Sequence, residues 1–335
     1  MHPSDLGTTN GIIASPLPAS IEPCFKFTDD QQALSLANPS IAHLAAHKAA
    51  HQEFFYGIEI TAQNQGKTHC VDFHDFLPLL PSFISFVWLK QFSDAVHQSG
   101  HFKNVASMQL IPQLHSHIAA MPHLSLYRLT QQNLDAFAAL NLGNVLVVRG
   151  DSLDEQQEYR YAYQVVEHLR RARGDNISIA VGGYPEGYTS LTKEAPDHTQ
   201  NMKYLKLKID AGANLIITQL CYSGEKIVQF VRDARSAGIT APILVGIVVP
   251  HSYGNYLIIE RITGVSLSPE ARGELVQLSK DDSKVKDYFV QLMVRNIEHV
   301  LNAGLGIYGF QFFTLNHFEP IVEVLRELRS RGIPK

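Results

Sequence analysis

Eight short runs of apolar, mostly β-branched or aromatic residues recur along the chain, at 55–61, 83–88, 118–124, 145–149, 177–182, 215–220, 243–249 and 307–315. Most are apolar through their whole length rather than at alternate positions, as strands covered on both faces must be. Between several of them the period becomes helical: Ala162, Val165, Val166 and Leu169 share one face, as do Met202, Leu205 and Ile209. Gly143, Gly174, Gly212, Gly238 and Gly304 stand where such helices should stop, supplying a left-handed cap that a Cβ resists. Eight strands alternating with helices predict a (β/α)8 TIM barrel, a parallel eight-stranded barrel inside a ring of helices. An open doubly wound sheet has the same alternation and is the alternative.

Residues 1–35 carry Pro3, Pro16, Pro18 and Pro23 among Ser, Thr, Asn and Gly and read as a disordered tail, with 36–335 as a single barrel domain. A helix is expected over 41–53. Lys plus Arg number 28 against 32 Asp plus Glu, so no basic footprint exists for nucleic acid or an anionic membrane. Cys24, Cys70 and Cys221 are scattered and odd in number, giving neither a disulfide framework nor a metal knuckle. The N-terminus shows no secretory pattern, and the strongest apolar stretch, 241–249, is too short to span a bilayer. A cytoplasmic location is expected.

In a parallel barrel, chemistry gathers at the C-terminal strand ends. Glu59 lies within Tyr56-Gly57-Ile58-Glu59-Ile60-Thr61. A carboxylate among such neighbours is costly unless paired or protonated, which makes it a candidate general acid. The same side chain pointing outward to a helix lysine is the other arrangement. Arg149-Gly150-Asp151 sets a fork of donors and a carboxylate at one strand end, suited to a phosphate or a heteroaromatic ring, or else forming a surface turn. Gly182-Gly183-Tyr184-Pro185-Glu186-Gly187 reads as a loop that lets Tyr184 cover a flat ring.

Three patterns are set aside. Gly304-Leu305-Gly306-Ile307-Tyr308-Gly309 matches GxGxxG but follows a helix and precedes a strand, the reverse of a phosphate loop. His115 with His117, and His69 with His74, lack companion ligands, so no metal is expected. Gly264-Val265-Ser266-Leu267-Ser268 lacks the second glycine of a nucleophile elbow.

Four segments taken together resemble the methylenetetrahydrofolate reductase family. They are Asn144–Asp151 ending in Arg-Gly-Asp, the Tyr184-Pro185-Glu186 loop, the stretch from Lys208 to Gln219, and the closing Gly309–Asn316. They fall in the family's order over residues 54–331. The resemblance implies an FAD-containing barrel that reduces 5,10-methylenetetrahydrofolate to 5-methyltetrahydrofolate with NADPH or NADH, by ping-pong hydride transfer, within one-carbon and methionine metabolism. By position it implies Glu59 as general acid, Asp151 between flavin and folate, and Gln219 on the pterin. His123, Arg149, Gly150, Asp151, Tyr161, Ala162, Tyr184 and Lys208 would line the flavin site. Implied partners are a small-molecule folate and no nucleic acid or membrane; assembly into a homo-oligomer is compatible with the reading.

The chain departs from the family pattern at Val87, Tyr188, Asn201, Tyr204, Val245 and His317. It ends about twenty residues past Asn316, so feedback by S-adenosylmethionine through an appended domain is not expected. Two other readings of the same residues are a non-catalytic folate- or flavin-binding barrel that regulates a partner, and a flavin barrel acting on another substrate.

Overall fold

The computed structural model describes residues 24–34, 39–62, 70–114, 116–150, 154, 156–188 and 197–333. Its strands are β1 (Cys24–Lys26), β2 (Phe55–Ile60), β3 (Cys70–Asp72), β4 (Phe83–Phe86), β5 (Ala119–Ser125), β6 (Asn144–Val148), β7 (Ser178–Gly183), β8 (Leu215–Thr218), β9 (Ile243–Val248) and β10 (Gly309–Phe313). All eight apolar runs are strands. They close in the order β10-β2-β4-β5-β6-β7-β8-β9, every pairing parallel. Because β10 pairs with both β9 and β2, the open sheet is excluded and the fold is a TIM barrel. Among the described residues no helix is long and apolar enough to cross a membrane.

Alternation along each strand divides the core in two. Tyr56, Ile58, Ile60, Ile84 and Phe86 pack outward against the helices. Phe55, Phe83, Ala119, Met121, Leu146, Ala180, Leu215, Ile217 and Leu244 fill the barrel itself, together with Ile41, Ala42 and Ala45 of the helix Ile41–Ala50. That helix stoppers the N-terminal end of the barrel. Its first amides have no partners of their own, and two polar residues that open strands supply them. Ile41 N–H donates to Asn144 Oδ1 at 2.8 Å and Ala42 N–H to Ser178 Oγ at 3.1 Å. Asn144 and Ser178, buried and polar, therefore have a structural task at the end away from the chemistry.

Glycine inside the barrel makes room for large neighbours. A Cβ on Gly57 would lie 2.2 Å from the Phe83 ring, and one on Gly246 would lie 2.2 Å from the Thr218 carbonyl oxygen. A ring can turn aside, but a strand carbonyl in a closed barrel cannot. Gly246→Ala is therefore expected to cost about 3 kcal/mol or more, and Gly57→Ala less, as read by urea denaturation of each variant. Equal, small losses would show that β8 and β9 separate more easily than this packing implies.

Two expectations need correction. The segment read as a tail is structured from residue 24: β1 pairs in parallel with β3, and the short helix Asp29–Ala33 starts at a capping box of Thr28 and Gln31. Phe27 drives this, stacking on Phe73 at 5.2 Å and touching His117 at 4.4 Å. Prolines upstream obscured the alternation Phe25, Phe27. Gly143 is not a left-handed cap. Asn141, at φ 57°, takes that conformation, which its short polar side chain tolerates, while Gly174, Gly212, Gly238 and Gly304 all have positive φ.

Candidate active site

Glu59 shares its strand face with Phe55 and Gly57, so it points into the barrel, one residue before the C-terminal end of β2. The outward pairing with a helix lysine is ruled out. Its cross-strand partner on β4 is Ser85. The side chain is 8% exposed, and burial alone pushes its pKa up to about 8. At neutral pH this carboxyl holds its proton.

Two polar residues that sequence reasoning passed over lie beside it. Gln311 of β10 donates from Nε2 to Ser85 Oγ at 3.1 Å, and its Oε1 is buried without a hydrogen-bond partner. Both are lone polar residues in strands otherwise apolar, the very signal that singled out Glu59. His123 also faces inward, from β5. Burial pulls its pKa down to about 3, so it is neutral, and its Nε2 is buried without a partner.

At the C-terminal ends of β6 and β7, a cavity of about 260 Å³ opens between the helices Ala162–Arg173 and His198–Asp210. It gathers Arg149, Tyr161, Ala162, Tyr184 and Lys208, five of the residues implied for the flavin, though they lie on two loops, a strand end and two helices. Three of the departures, Tyr188, Asn201 and Tyr204, line the same space. Tyr163, Tyr161 and Tyr204 form a stack with centroid separations of 5.6 and 5.2 Å and interplanar angles of 13° and 17°. Tyr163 was not foreseen, because helical residues two apart diverge; the extended N-cap conformation of Tyr161 brings the rings together.

The cations of this cavity are held differently. Lys208 is 8% exposed and donates to the Gly182 carbonyl, with the Tyr184 ring 5.4 Å away. Burial lowers its pKa to about 8, so it remains mostly protonated at neutral pH. Arg149 lies 5.5 Å from the Tyr188 ring, and its Nε is buried without a hydrogen-bond partner. Gly150 has φ 82°, and a Cβ there would meet Ser125 Oγ at 2.4 Å, so the position takes only glycine without strain.

The other implied residues are placed less centrally. Gln219 is half-buried just past β8; its N–H donates to the Gly183 carbonyl at 2.7 Å, and its Oε1 accepts from Leu220 N–H at 2.9 Å. Asp151 lies outside the described residues. So do His69 and His115. His74 bonds Asp72 and His117 bonds the Gln31 carbonyl. No group of three or more metal-ligating side chains occurs among the described residues. The loops after β7 and β8 are joined by Glu186, which accepts from Lys226 Nζ at 2.6 Å and from Cys221 Sγ at 3.4 Å.

The methylenetetrahydrofolate reductase family model matches residues 46–329 of this chain. A probable methylenetetrahydrofolate reductase (NADPH) of Caenorhabditis elegans is 30% identical over 204 residues, covering 59% of this chain and 30% of that protein. A probable methylenetetrahydrofolate reductase (NADH) of Oryza sativa subsp. japonica is 29% identical over 227 residues, 63% of this chain and 38% of that protein. The match thus spans only about a third of those longer relatives. The 5,10-methylenetetrahydrofolate reductase of Buchnera aphidicola is 25% identical over 256 residues, 73% of this chain and 84% of that one. Among solved structures, an uncharacterized Clostridium thermocellum protein that binds two copies of 5-methyl-5,6,7,8-tetrahydrofolic acid superposes with a TM-score of 0.56 at 13% identity, covering 86% of this chain and 99% of that one, a likeness of fold. With 46–329 matched and the barrel closed, this chain belongs to the methylenetetrahydrofolate reductase family.

Proposed function

We propose that this chain binds FAD and reduces 5,10-methylenetetrahydrofolate to 5-methyltetrahydrofolate with NADPH or NADH. The observation that carries the reading is Glu59, a carboxylic acid kept neutral by burial and aimed into the barrel near its C-terminal rim. Opening the five-membered ring of the substrate requires a proton on the departing amine nitrogen, and a neutral carboxyl with a pKa near 8 can deliver it at physiological pH. The proton leaves the Glu59 carboxyl oxygen for that nitrogen, and the exocyclic carbon becomes an electrophilic iminium.

The residues present suit a flavin. Arg149 Nε is a buried donor without a partner, Gly150 leaves the backbone bare, and Tyr184 and the tyrosine stack offer flat apolar walls. Arg149 and Lys208 would hold the diphosphate, and His123, Gly150, Tyr161, Ala162 and Tyr184 would border the rings. A flavin held there would supply hydride transfer from the nicotinamide to the folate carbon, in a ping-pong cycle. Asp151 would lie beside flavin and folate, and Gln219 would orient the pterin.

The test is an anaerobic titration of the FAD-loaded protein. NADPH or NADH should bleach the yellow colour, and methylenetetrahydrofolate should restore it; bleaching without recovery would overturn the folate assignment. Arg149→Ala should weaken FAD binding by about 10- to 100-fold, the worth of a lost charge-assisted hydrogen bond, as read by fluorescence quenching.

A further inference from the structure

We propose that Thr314 and Asn316 are positioning residues for Glu59, their side chains continuing the barrel's hydrogen-bond ladder past the end of β10 and holding the acid-bearing strand closed against water. The proposal rests on the reading of Glu59 as the acid. The β10–β2 register runs out at Phe312 opposite Ile58, one residue short of Glu59. Side chains then replace backbone. Thr314 Oγ1 donates to the Glu59 carbonyl at 2.6 Å. The Asn316 carboxamide pairs with residue 61 as a peptide group would: Thr61 N–H donates to Oδ1 and Nδ2 donates to the Thr61 carbonyl, each at 3.0 Å. Asn316 N–H closes the motif on Thr314 Oγ1 at 2.8 Å.

The backbone is bent for this purpose. Leu315 at φ 45° and Asn316 at φ 63° are consecutive non-glycine residues in the left-handed region, each costing about 1 kcal/mol or more. On the opposite edge of β2, Val87 N–H donates to the Ile60 carbonyl at 3.0 Å, so the strand is gripped on both sides around Glu59. Only a carboxamide of this length offers donor and acceptor side by side; aspartate lacks the donor and alanine both. Among the described strand residues, those facing Glu59 are uncharged: Ser85 from β4 and Gln311 and Phe313 from β10. The one other titratable side chain on the inner strand faces, among the described residues, is His123 of β5. The gripped rim keeps the carboxyl dry, and among the described residues burial alone raises its pKa.

The test combines two readouts on the full chain. Infrared difference spectra against Glu59→Gln isolate the carboxyl band and give its titration midpoint without cofactor or substrate. Thr314→Val and Asn316→Ala should move that midpoint down by about one unit or more as water reaches the group. With FAD loaded, the same variants should lose about 10- to 100-fold in the folate half-reaction and keep flavin reduction by NAD(P)H. Thr314→Ser, which retains the hydroxyl, should restore both. An unmoved midpoint, or equal losses in the two half-reactions, overturns the proposal. If instead the midpoint moves while Glu59→Gln still reduces folate, the clamp stands and the acid assignment falls.

Discussion

Glu59→Gln is expected to slow the folate-reducing half-reaction by about 10²- to 10⁴-fold, the usual worth of a general acid, and to leave flavin reduction by NAD(P)H intact. The amide preserves the volume and polarity of the side chain but has no proton to release at neutral pH. Only ring opening needs that proton, so only one half-reaction should suffer. Anaerobic stopped-flow with each substrate separates the two. The wild-type folate half-reaction should decline as pH rises through about 8, because the carboxyl that must donate is then ionised. That descending limb should vanish in the variant. Equal impairment of both half-reactions would remove Glu59 from the acid role.

The same substitution should also stabilise the fold at alkaline pH. Glu59 has an ordinary value of 4.5 and a folded value of about 8. Between those limits the folded state binds a proton that the unfolded chain releases, so stability falls as pH rises through the window. Below it both states are protonated and the wild type bears no penalty. Above it the folded chain must harbour a buried anion, at a cost of up to roughly 5 kcal/mol. Glu59→Gln carries no such charge. Its advantage over the wild type should be near zero at the acid end and grow to several kcal/mol above pH 8, measured by denaturant unfolding at both ends. A pH-independent difference would mean that water reaches the carboxyl in the folded state.

Much of this architecture was legible before any coordinates. Strands buried on both faces must be apolar throughout, and that marked all eight. The order of helix and strand correctly dismissed Gly304 to Gly309 as a phosphate loop: Gly304 and Gly306, at φ 67° and 72°, end a helix and lead into β10. Closure was expected from the count of eight and not from periodicity, since the contact between β10 and β2 joins residues some 250 positions apart and leaves no periodic trace. The direction of Glu59 was not legible, because a run apolar on both faces hides which parity faces in. Register against Phe55 decided it. The clustering of Arg149, Tyr161, Tyr184 and Lys208 came from family resemblance rather than from spacing, and the fold supplies the physical reason, two neighbouring strand ends flanked by two helices. Thr314 and Asn316 escaped notice because a hydroxyl and an amide after a strand look like ordinary turn residues until their partners on another strand are seen.

The helix Ile41–Ala50 gives the ring of staves a floor. A vessel sealed below is no conduit: whatever reaches the carboxyl inside must depart on the side by which it entered. Under the function proposed above, a dinucleotide and a pterin would both come and go on the side opposite that floor.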